Sequence, residues 1–421
     1  MKIAILGAGF TGLTAGLRLS QKGHEIVIFE KDENVGGLAI GFQKKNWRWS
    51  LEKAYHHWFT NDDQILNLAR ELNYPVLIKR PKTKIFIKNQ ILDFDSVSSL
   101  LNFPFFNFLD KVRFALFSVF LKITNNYLQF ENKLALTWIR KYFGKKITNL
   151  IWEPLFSAKF NKYKENISLV WFWARIKKRT PKLAYPSGGF KNFAEKIAKE
   201  IENNHGQILL NTEVVNLSEK DEKVIILTKN NNYIFDKVIV SLPSFIFTKI
   251  SNQLPKKYMK KLISIDHLHA LNLILILRKP FLKNTYWLNI TDTSFPFLVL
   301  VEHTNFIDKQ NYGKEHILYI GNYLTKDHPY LTMSKAKLQK IFVKHLKKIN
   351  PDIQKIIKES YLFSAPFAQP IVSKNYHKKM PTFKTPLRNV YLANLDMTYP
   401  WDRGTNYAVE LGEKVAKLTN D

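Results

Sequence analysis

One short stretch limits what this chain can fold into more than any other: Lys2-Ile3-Ala4-Ile5-Leu6 runs directly into Gly7-Ala8-Gly9-Phe10-Thr11-Gly12. The branched, apolar pentapeptide has the pattern of a parallel strand covered on both faces. The G-x-G-x-x-G turn leads into an amphipathic helix expected to reach about Lys22, with Leu13, Leu17 and Leu19 on its apolar side and Gly23 closing it. Glu25 to Phe29 reads as a second strand, and Glu30 stands at its C-terminal end. In such a unit one glycine makes the tight turn, one lets the backbone reach a pyrophosphate, and one lets helix and strand pack closely. The helix N-terminus adds unpaired N–H groups and the positive end of its dipole. Glu30 can accept hydrogen bonds from a ribose and would repel a ribose 2′-phosphate, so NADP is disfavoured.

Gly36 and Gly37 separate the dinucleotides that remain. The run Glu30-Lys31-Asp32-Glu33-Asn34-Val35-Gly36-Gly37 resembles the extended N-terminal signature of the FAD-binding amine oxidase, protoporphyrinogen oxidase and phytoene desaturase superfamily. The resemblance implies FAD, held by Gly7, Ala8, Gly9, Phe10, Thr11, Gly12, Glu30, Lys31, Gly36, Gly37 and Leu38. Many members carry a phosphate-binding arginine where this chain has Leu38, which leaves the work there to backbone donors. Thr212-Glu213-Val214 resembles the segment whose backbone pairs with adenine.

Near the end, Asn389 to Ala393 reads as a strand, and Tyr399-Pro400-Trp401-Asp402-Arg403-Gly404-Thr405-Asn406 leads into a helix from Tyr407 to Leu418. This resembles the C-terminal FAD motif of the superfamily. Carried over, Asp396 contacts the ribityl or pyrophosphate, and the amides around Gly404, Thr405 and Asn406 face the N1/O2 edge of the flavin. A helix N-terminus suits the negative charge of a reduced flavin. Asn394 stands where many members have glycine. The Trp152–Phe156 segment, Lys159-Phe160, Arg175, Arg179 and Gly188-Gly189-Phe190 also resemble a bacterial protoporphyrinogen-oxidase-like branch.

The expected fold is therefore α/β: a Rossmann-like FAD-binding domain, discontinuous in sequence, with an interleaved α+β substrate domain of helices and an antiparallel sheet. Residues 1–60, 185–250 and 365–421 are assigned to the first, and 61–184 and 251–364 to the second. Within them the patterning predicts a helix over 63–73 capped by Asn61 and Asp62, a hairpin over 84–94 turning at Asn89-Gln90, and a helical block over 96–156. It further predicts a helix from Gly188 to about Asn203, strands over 207–211, 236–243, 268–278, 295–301 and 317–322, and a helix over 334–349.

Composition narrows the function classes. With 421 residues, 45% hydrophobic and 14% aromatic, the chain can bury a large core. It has no cysteine, which excludes disulfides, Cys–zinc sites and a cysteine-tethered flavin. The net charge of +29 comes from lysines spread along the whole chain and not from a binding stripe, so no nucleic-acid partner is expected. An anionic membrane surface is the more fitting partner. Leu100 to Ile123, rich in Phe with Asp110, Lys111, Arg113 and Lys122 interspersed, fits either an interfacial helix or a buried helix lining the substrate cavity. The first strand begins at residue 2, leaving no room for a cleaved signal peptide, and no apolar run is long enough to span a bilayer. A cytoplasmic protein, associated at most with the cytoplasmic membrane face, is expected.

The catalytic candidates are His56, His57, Lys159 and Arg403. Adjacent histidines on an extended segment point to opposite sides, so at most one faces the ring. Lys159 fits either a water-holding role at flavin N5 or a solvated surface, and Arg403 either a clamp or a surface ion pair with Asp402. Arg175 and Arg179 share a face if both are helical and could bind a carboxylate or diphosphate. No His/Asp/Glu cluster stands at metal-ligand spacing, and no metal is expected. The expected activity is hydride transfer from a large, mostly apolar substrate (an amine, porphyrinogen or isoprenoid-like molecule) to flavin N5. A flavin-dependent non-redox mutase resembling UDP-galactopyranose mutase is the alternative.

Overall fold

The computed structural model describes residues 1–420. Five short strands from distant parts of the chain form one parallel sheet, in the order Gln207–Leu209, Glu25–Phe29, Lys2–Leu6, Lys237–Val240, Val390–Leu392. Side chains alternate across it with the two-residue period of a strand. Ile3, Ile5, Ile26 and Ile28 pack under helices Phe10–Ser20 and Phe190–Asn203, against Leu13, Leu17, Ile197 and Ile201. Ala4, Leu6, Val27 and Phe29 face the other way, onto Leu217, Val224, Ile226 and Phe235 of a three-stranded antiparallel sheet (Val214–Lys220, Lys223–Thr228, Asn232–Phe235). Burial on both faces is why these strands read as unbroken apolar runs.

A second sheet has seven strands, ordered Ile357–Pro370, His267–Leu277, His316–Leu324, Val299–Glu302, Trp287–Ile290, Thr83–Ile87, Gln90–Asp93. It is not purely antiparallel, as expected from the patterning: Trp287–Ile290 runs parallel to Thr83–Ile87. The helix Lys335–Leu346 covers one face through Leu338, Phe342 and Leu346, against Leu271, Leu273 and Leu275. The other face, with Ile274, Ile276, Ile317 and Tyr319, joins the same core as the parallel sheet. Helices Phe108–Ile123, Ala135–Tyr142, Glu153–Phe160 and Leu169–Lys178 enclose a third, aromatic core that includes Phe143, Phe156, Phe160, Trp171 and Phe172.

Several local expectations are corrected. The hairpin turns at Lys88-Asn89, both with positive φ, one residue before the expected pair. Asp62 sits at the N-cap of helix Asp63–Glu71, but its carboxylate accepts the N–H of Phe59 and makes no cap bond. Phe295 precedes the strand it was expected to open, and Ile357–Pro370, expected as no element, is the longest strand of the molecule. Arg179 lies just beyond the helix Leu169–Lys178 in extended backbone, so it does not continue the helical face of Arg175.

Candidate flavin site

The tightest backbone contacts in the molecule surround the first turn. Gly7 adopts φ +100, and a Cβ on Gly12 would lie 2.0 Å from the carbonyl oxygen of Gly7. Only glycine lets the helix Phe10–Ser20 begin that close to the strand Lys2–Leu6. The second glycine pair packs back to back on the first. Gly36 donates its N–H to Ala8 O at 2.9 Å, and a Cβ on Gly37 would meet Gly9 Cα at 2.9 Å. Two glycine turns pressed together form a cradle that side chains would fill, lined by the unpaired N–H groups of a helix N-terminus. Its donor set suits a pyrophosphate. Leu38, immediately outside, is exposed.

Glu30 is buried at the end of its strand. Its carboxylate accepts the Ala8 N–H at 2.8 Å and the Asp32 N–H at 3.0 Å, which fixes it beside the first turn. Its backbone joins Thr212 N at 2.8 Å. Lys31, Asn211, Thr212 and Glu213 line one cleft next to Val214, so the first and second returns of the chain meet there.

The third return brings Asp396 and the C-terminal helix, Thr405–Asn420. Asp396 is buried and engaged: Ser244 Oγ donates to it at 2.5 Å, and His267 Nε2 lies 2.6 Å away. Asn394 has ordinary extended backbone (φ −143), so no glycine is required there. Its side chain caps the turn by accepting the Asp396 N–H at 3.1 Å and donating to Leu242 O at 2.9 Å. Trp58 Nε1 donates to Thr405 Oγ1 at 2.8 Å, and Asn406 Oδ1 accepts the Ile65 N–H at 3.2 Å. These bonds fix the helix start just after Gly404 (φ +157) and leave its first amides without helical acceptors.

Two of the catalytic candidates, Lys159 and Arg403, lie against the ring of Tyr323 close to that helix start. His56 and His57 do point apart: His56 Nδ1 lies 2.7 Å from Ala54 O, its ring against Phe190, while His57 Nδ1 lies 3.0 Å from Tyr286 Oη. Burial pushes His56 down to about 4 and His57 to about 3, with Arg403 adding to the first and Arg179 and Arg175 to the second, so both rings are neutral at pH 7. Lys159 is not solvated, being only 8% exposed, and burial holds its ammonium well below the usual lysine range. Arg403 does not form a surface ion pair with Asp402. It donates to Gln369 Oε1 and Tyr323 Oη, with its guanidinium 4.4 Å from the Tyr323 ring centroid. Asp402 is itself buried and accepts from Trp171 Nε1 at 3.0 Å, Gln369 Nε2 at 3.2 Å and Arg175 Nη1 at 3.2 Å. Burial pushes its carboxyl up, but Lys159, Arg175 and Arg403 outweigh that and hold it below the usual range. Tyr323, Gln369 and Trp171 escaped sequence reading because their strands and helix carry no motif. Among the described residues no group of His, Asp and Glu is arranged to hold a metal.

The profile of the family described as "Flavin containing amine oxidoreductase" matches residues 10–419. Over 51 residues, 12% of this chain and 10% of the relative, the sequence is 62% identical to a 4,4'-diapophytoene desaturase of Staphylococcus aureus strain Newman. The first-ranked desaturase relatives are thus matched over only about a tenth of their length. A putative protoporphyrinogen oxidase from Exiguobacterium sp. 255-15 shares the fold at a TM-score of 0.78 and 12% identity, covering 99% of this chain and 98% of that one. Reduced UDP-galactopyranose mutase does so at 0.78 and 15% identity, covering 100% and 96%. With the family profile spanning nearly the whole chain and the paired glycine turns, anchored acid and C-terminal helix in place, the chain belongs to the flavin-containing amine oxidoreductases, and its cofactor is a flavin.

Proposed function

We propose that the chain is an FAD-dependent oxidoreductase acting on a large, mostly apolar substrate. The observation that carries this reading is the pair of glycine turns packed backbone to backbone, where a Cβ at Gly12 or Gly37 would meet backbone at 2.0 and 2.9 Å, beside a helix N-terminus whose N–H groups suit the diphosphate of a dinucleotide. In this reading the free N–H groups at the start of helix Phe10–Ser20 and that of Gly37 hold the pyrophosphate, Glu30 the adenosine ribose, and the Val214 backbone the adenine. Asp396, oriented by Ser244 and His267, faces the ribityl chain, and the amides at Gly404, Thr405 and Asn406 face the ring edge. Bound flavin supplies the hydride-accepting atom, N5, and passes electrons to an external acceptor. The protein's part is orientation and electrostatics. His56 and His57, both neutral, serve as hydrogen-bonding walls and not as charged acids. Arg403 brings positive charge to the helix start, and Lys159 lies against the same Tyr323 ring.

The substrate would be gathered at a membrane surface. The helix Phe108–Ile123 exposes Phe108 (78%), Leu109 (70%), Val112, Leu116, Val119 and Ile123 (67%) along one side, and Val97 and Leu101 of the preceding helix continue the patch. Half-buried Lys111 and exposed Arg113, Lys145 and Lys146 stand nearby on the same block. An apolar stripe edged with lysine and arginine fits a bilayer with anionic headgroups. No helix of the described residues is long and apolar enough to cross a membrane. The mutase alternative rests on fold likeness alone.

The visible spectrum of the purified protein, followed by acid release and identification of the cofactor, tests the reading. A two-banded flavin spectrum with released FAD is expected, and Gly12→Val should abolish both. Released FMN, or flavin retained by Gly12→Val, would overturn the site assignment.

A further inference from the structure

A groove of about 440 Å³ opens beside the short helix Val97–Leu101, lined also by the segment leading into strand Thr83–Ile87 and by the end of strand Gln90–Asp93. Helical positions four apart share a face, so this helix has two adjoining sides. Val97 and Leu101, 74% and 60% exposed, belong to the apolar stripe, while Ser98 and Asn102 line the groove. The groove therefore lies against the edge of the stripe. Its own lining is divided in the same way. Leu92, Phe103 and Pro104 give it apolar surface, and exposed Arg80 and Lys82 bring charge. Neither cation makes a side-chain hydrogen bond or ion pair among the described residues. Of the two lining acids, Asp93 is paired with Lys84 at 3.1 Å, and Asp95 accepts the Thr83 N–H at 3.4 Å. With Lys84 counted, three cations stand against two carboxylates, an excess of one positive charge. Ser96 and Ser99 use their hydroxyls to accept each other's N–H groups, at 3.1 and 3.0 Å, which leaves Ser98 and Asn102 as the neutral hydrogen-bonding side chains.

We propose that this groove is a headgroup site for a membrane phospholipid with a singly charged phosphodiester and a hydroxyl-bearing headgroup, as in phosphatidylglycerol. Arg80 offers a planar fork of donors to the phosphate and Lys82 a point charge. Ser98, Asn102 and the second oxygen of Asp95 bond the headgroup hydroxyls, and Leu92, Phe103 and Pro104 lie along the glycerol and the first acyl carbons. One negative charge balances the excess of the groove. A phosphomonoester, at about −1.5 to −2, brings more than it can balance, and a headgroup carboxylate would meet Asp95. A lipid is the source because the groove adjoins the stripe: an interfacial helix sinks its apolar face about 5–10 Å into the boundary of headgroups and acyl chains, which sets the groove at headgroup depth. The stripe alone accepts any lipid, whereas the groove makes the attachment selective. The inference rests on the membrane part of the reading above and not on the flavin assignment.

The test is isothermal titration of the full-length protein with dihexanoylphosphatidylglycerol, dihexanoylphosphatidylcholine and inorganic phosphate, each lipid kept below its micelle concentration. The first should bind about tenfold or more tightly than either of the others. The double variant Arg80→Gln, Lys82→Gln should lose that preference, with flavin content and thermal midpoint unchanged because both residues are exposed. Sedimentation with vesicles at high salt separates groove from stripe: the same variant should still sediment, but equally with phosphatidylglycerol and phosphatidylcholine vesicles. Equal affinity for the three probes, or a preference for phosphatidylglycerol that survives in the double variant, would overturn the proposal. Inorganic phosphate bound as tightly as the lipid would overturn its lipid source. An unaltered protein that prefers the soluble phosphatidylglycerol yet sediments with no vesicle would count against the membrane reading and leave the phosphodiester site standing.

Discussion

Glu52 shows how a single residue can govern pH dependence without touching the chemistry. It is fully buried, with Oε1 accepting the Phe190 N–H at 2.9 Å and Oε2 lying 2.8 Å from Tyr185 Oη. Burial pushes its carboxyl up to about 7, against the bonds from Phe190 and Tyr185, which pull the other way. The native state therefore holds a proton that the unfolded chain releases at a lower pH. Its stabilisation is complete below about 4.5 and is lost as pH rises through about 7. The whole effect is on the order of 3 kcal/mol. Glu52→Gln keeps an acceptor for Phe190 and offers an amide N–H to the Tyr185 oxygen, so it should flatten the fall in thermal midpoint between pH 5 and 8. A midpoint that declines as steeply in Glu52→Gln would place the titrating group elsewhere. None of this was legible in the sequence, where Glu52 is one acid among many. Lys159 is a similar case, since only the walls of Trp171, Tyr323 and Phe160 distinguish it from a solvated lysine.

At the scale of elements, the pairing of the first and last long helices joins the two ends of the proposed cofactor site. Helix Thr405–Asn420 crosses Phe10–Ser20 at Gly412, where a Cβ would lie 2.7 Å from both Thr11 O and Thr14 Cβ. Gly412→Val should force the helices apart at a cost of about 1–3 kcal/mol. Because, in the proposed reading, one helix begins at the phosphate cradle and the other at the ring edge, flavin should be lost along with stability. Thermal melting with and without added FAD measures both; a variant that melts lower but retains full flavin would show that the two ends are not coupled through this crossing. The helices themselves were legible from their periodicity and their flanking glycines. The strand Ile357–Pro370 was not, because its apolar and polar residues do not alternate cleanly and Pro366 interrupts it, and because its pairing with His267–Leu277 spans some ninety residues.

Taken whole, the molecule carries its net charge of +29 on most of its surface, while the apolar stripe is confined to Phe108–Ile123 and its neighbours. Charge alone would attract any polyanion, whereas the stripe adds a lipid-specific term that salt does not screen. Vesicles of mixed anionic and zwitterionic lipid should therefore sediment the protein at low salt and retain part of it at high salt. The double variant Phe108→Ser, Leu116→Ser should lose the salt-resistant fraction. Loss of all binding at high salt in the unaltered protein would remove the stripe from the account, and a concentration-dependent dimer abolished by the same variant would give it to a second copy of the chain.

What the sequence by itself determined was the part of the protein whose physics is local. A G-x-G-x-x-G turn between a buried strand and a helix, an acid at the next strand end and a second glycine pair prescribe backbone geometry within forty residues. What only the tertiary structure decided is everything that depends on which distant side chains share an enclosed space. The burial of Lys159, the engagement of Asp402 by Trp171, Arg175 and Gln369, and the neutral state of His56 and His57 arise where helix, sheet and C-terminal segment meet. Desolvation and charge pairing act through space, over contacts between residues more than two hundred positions apart, and no spacing along the chain encodes them.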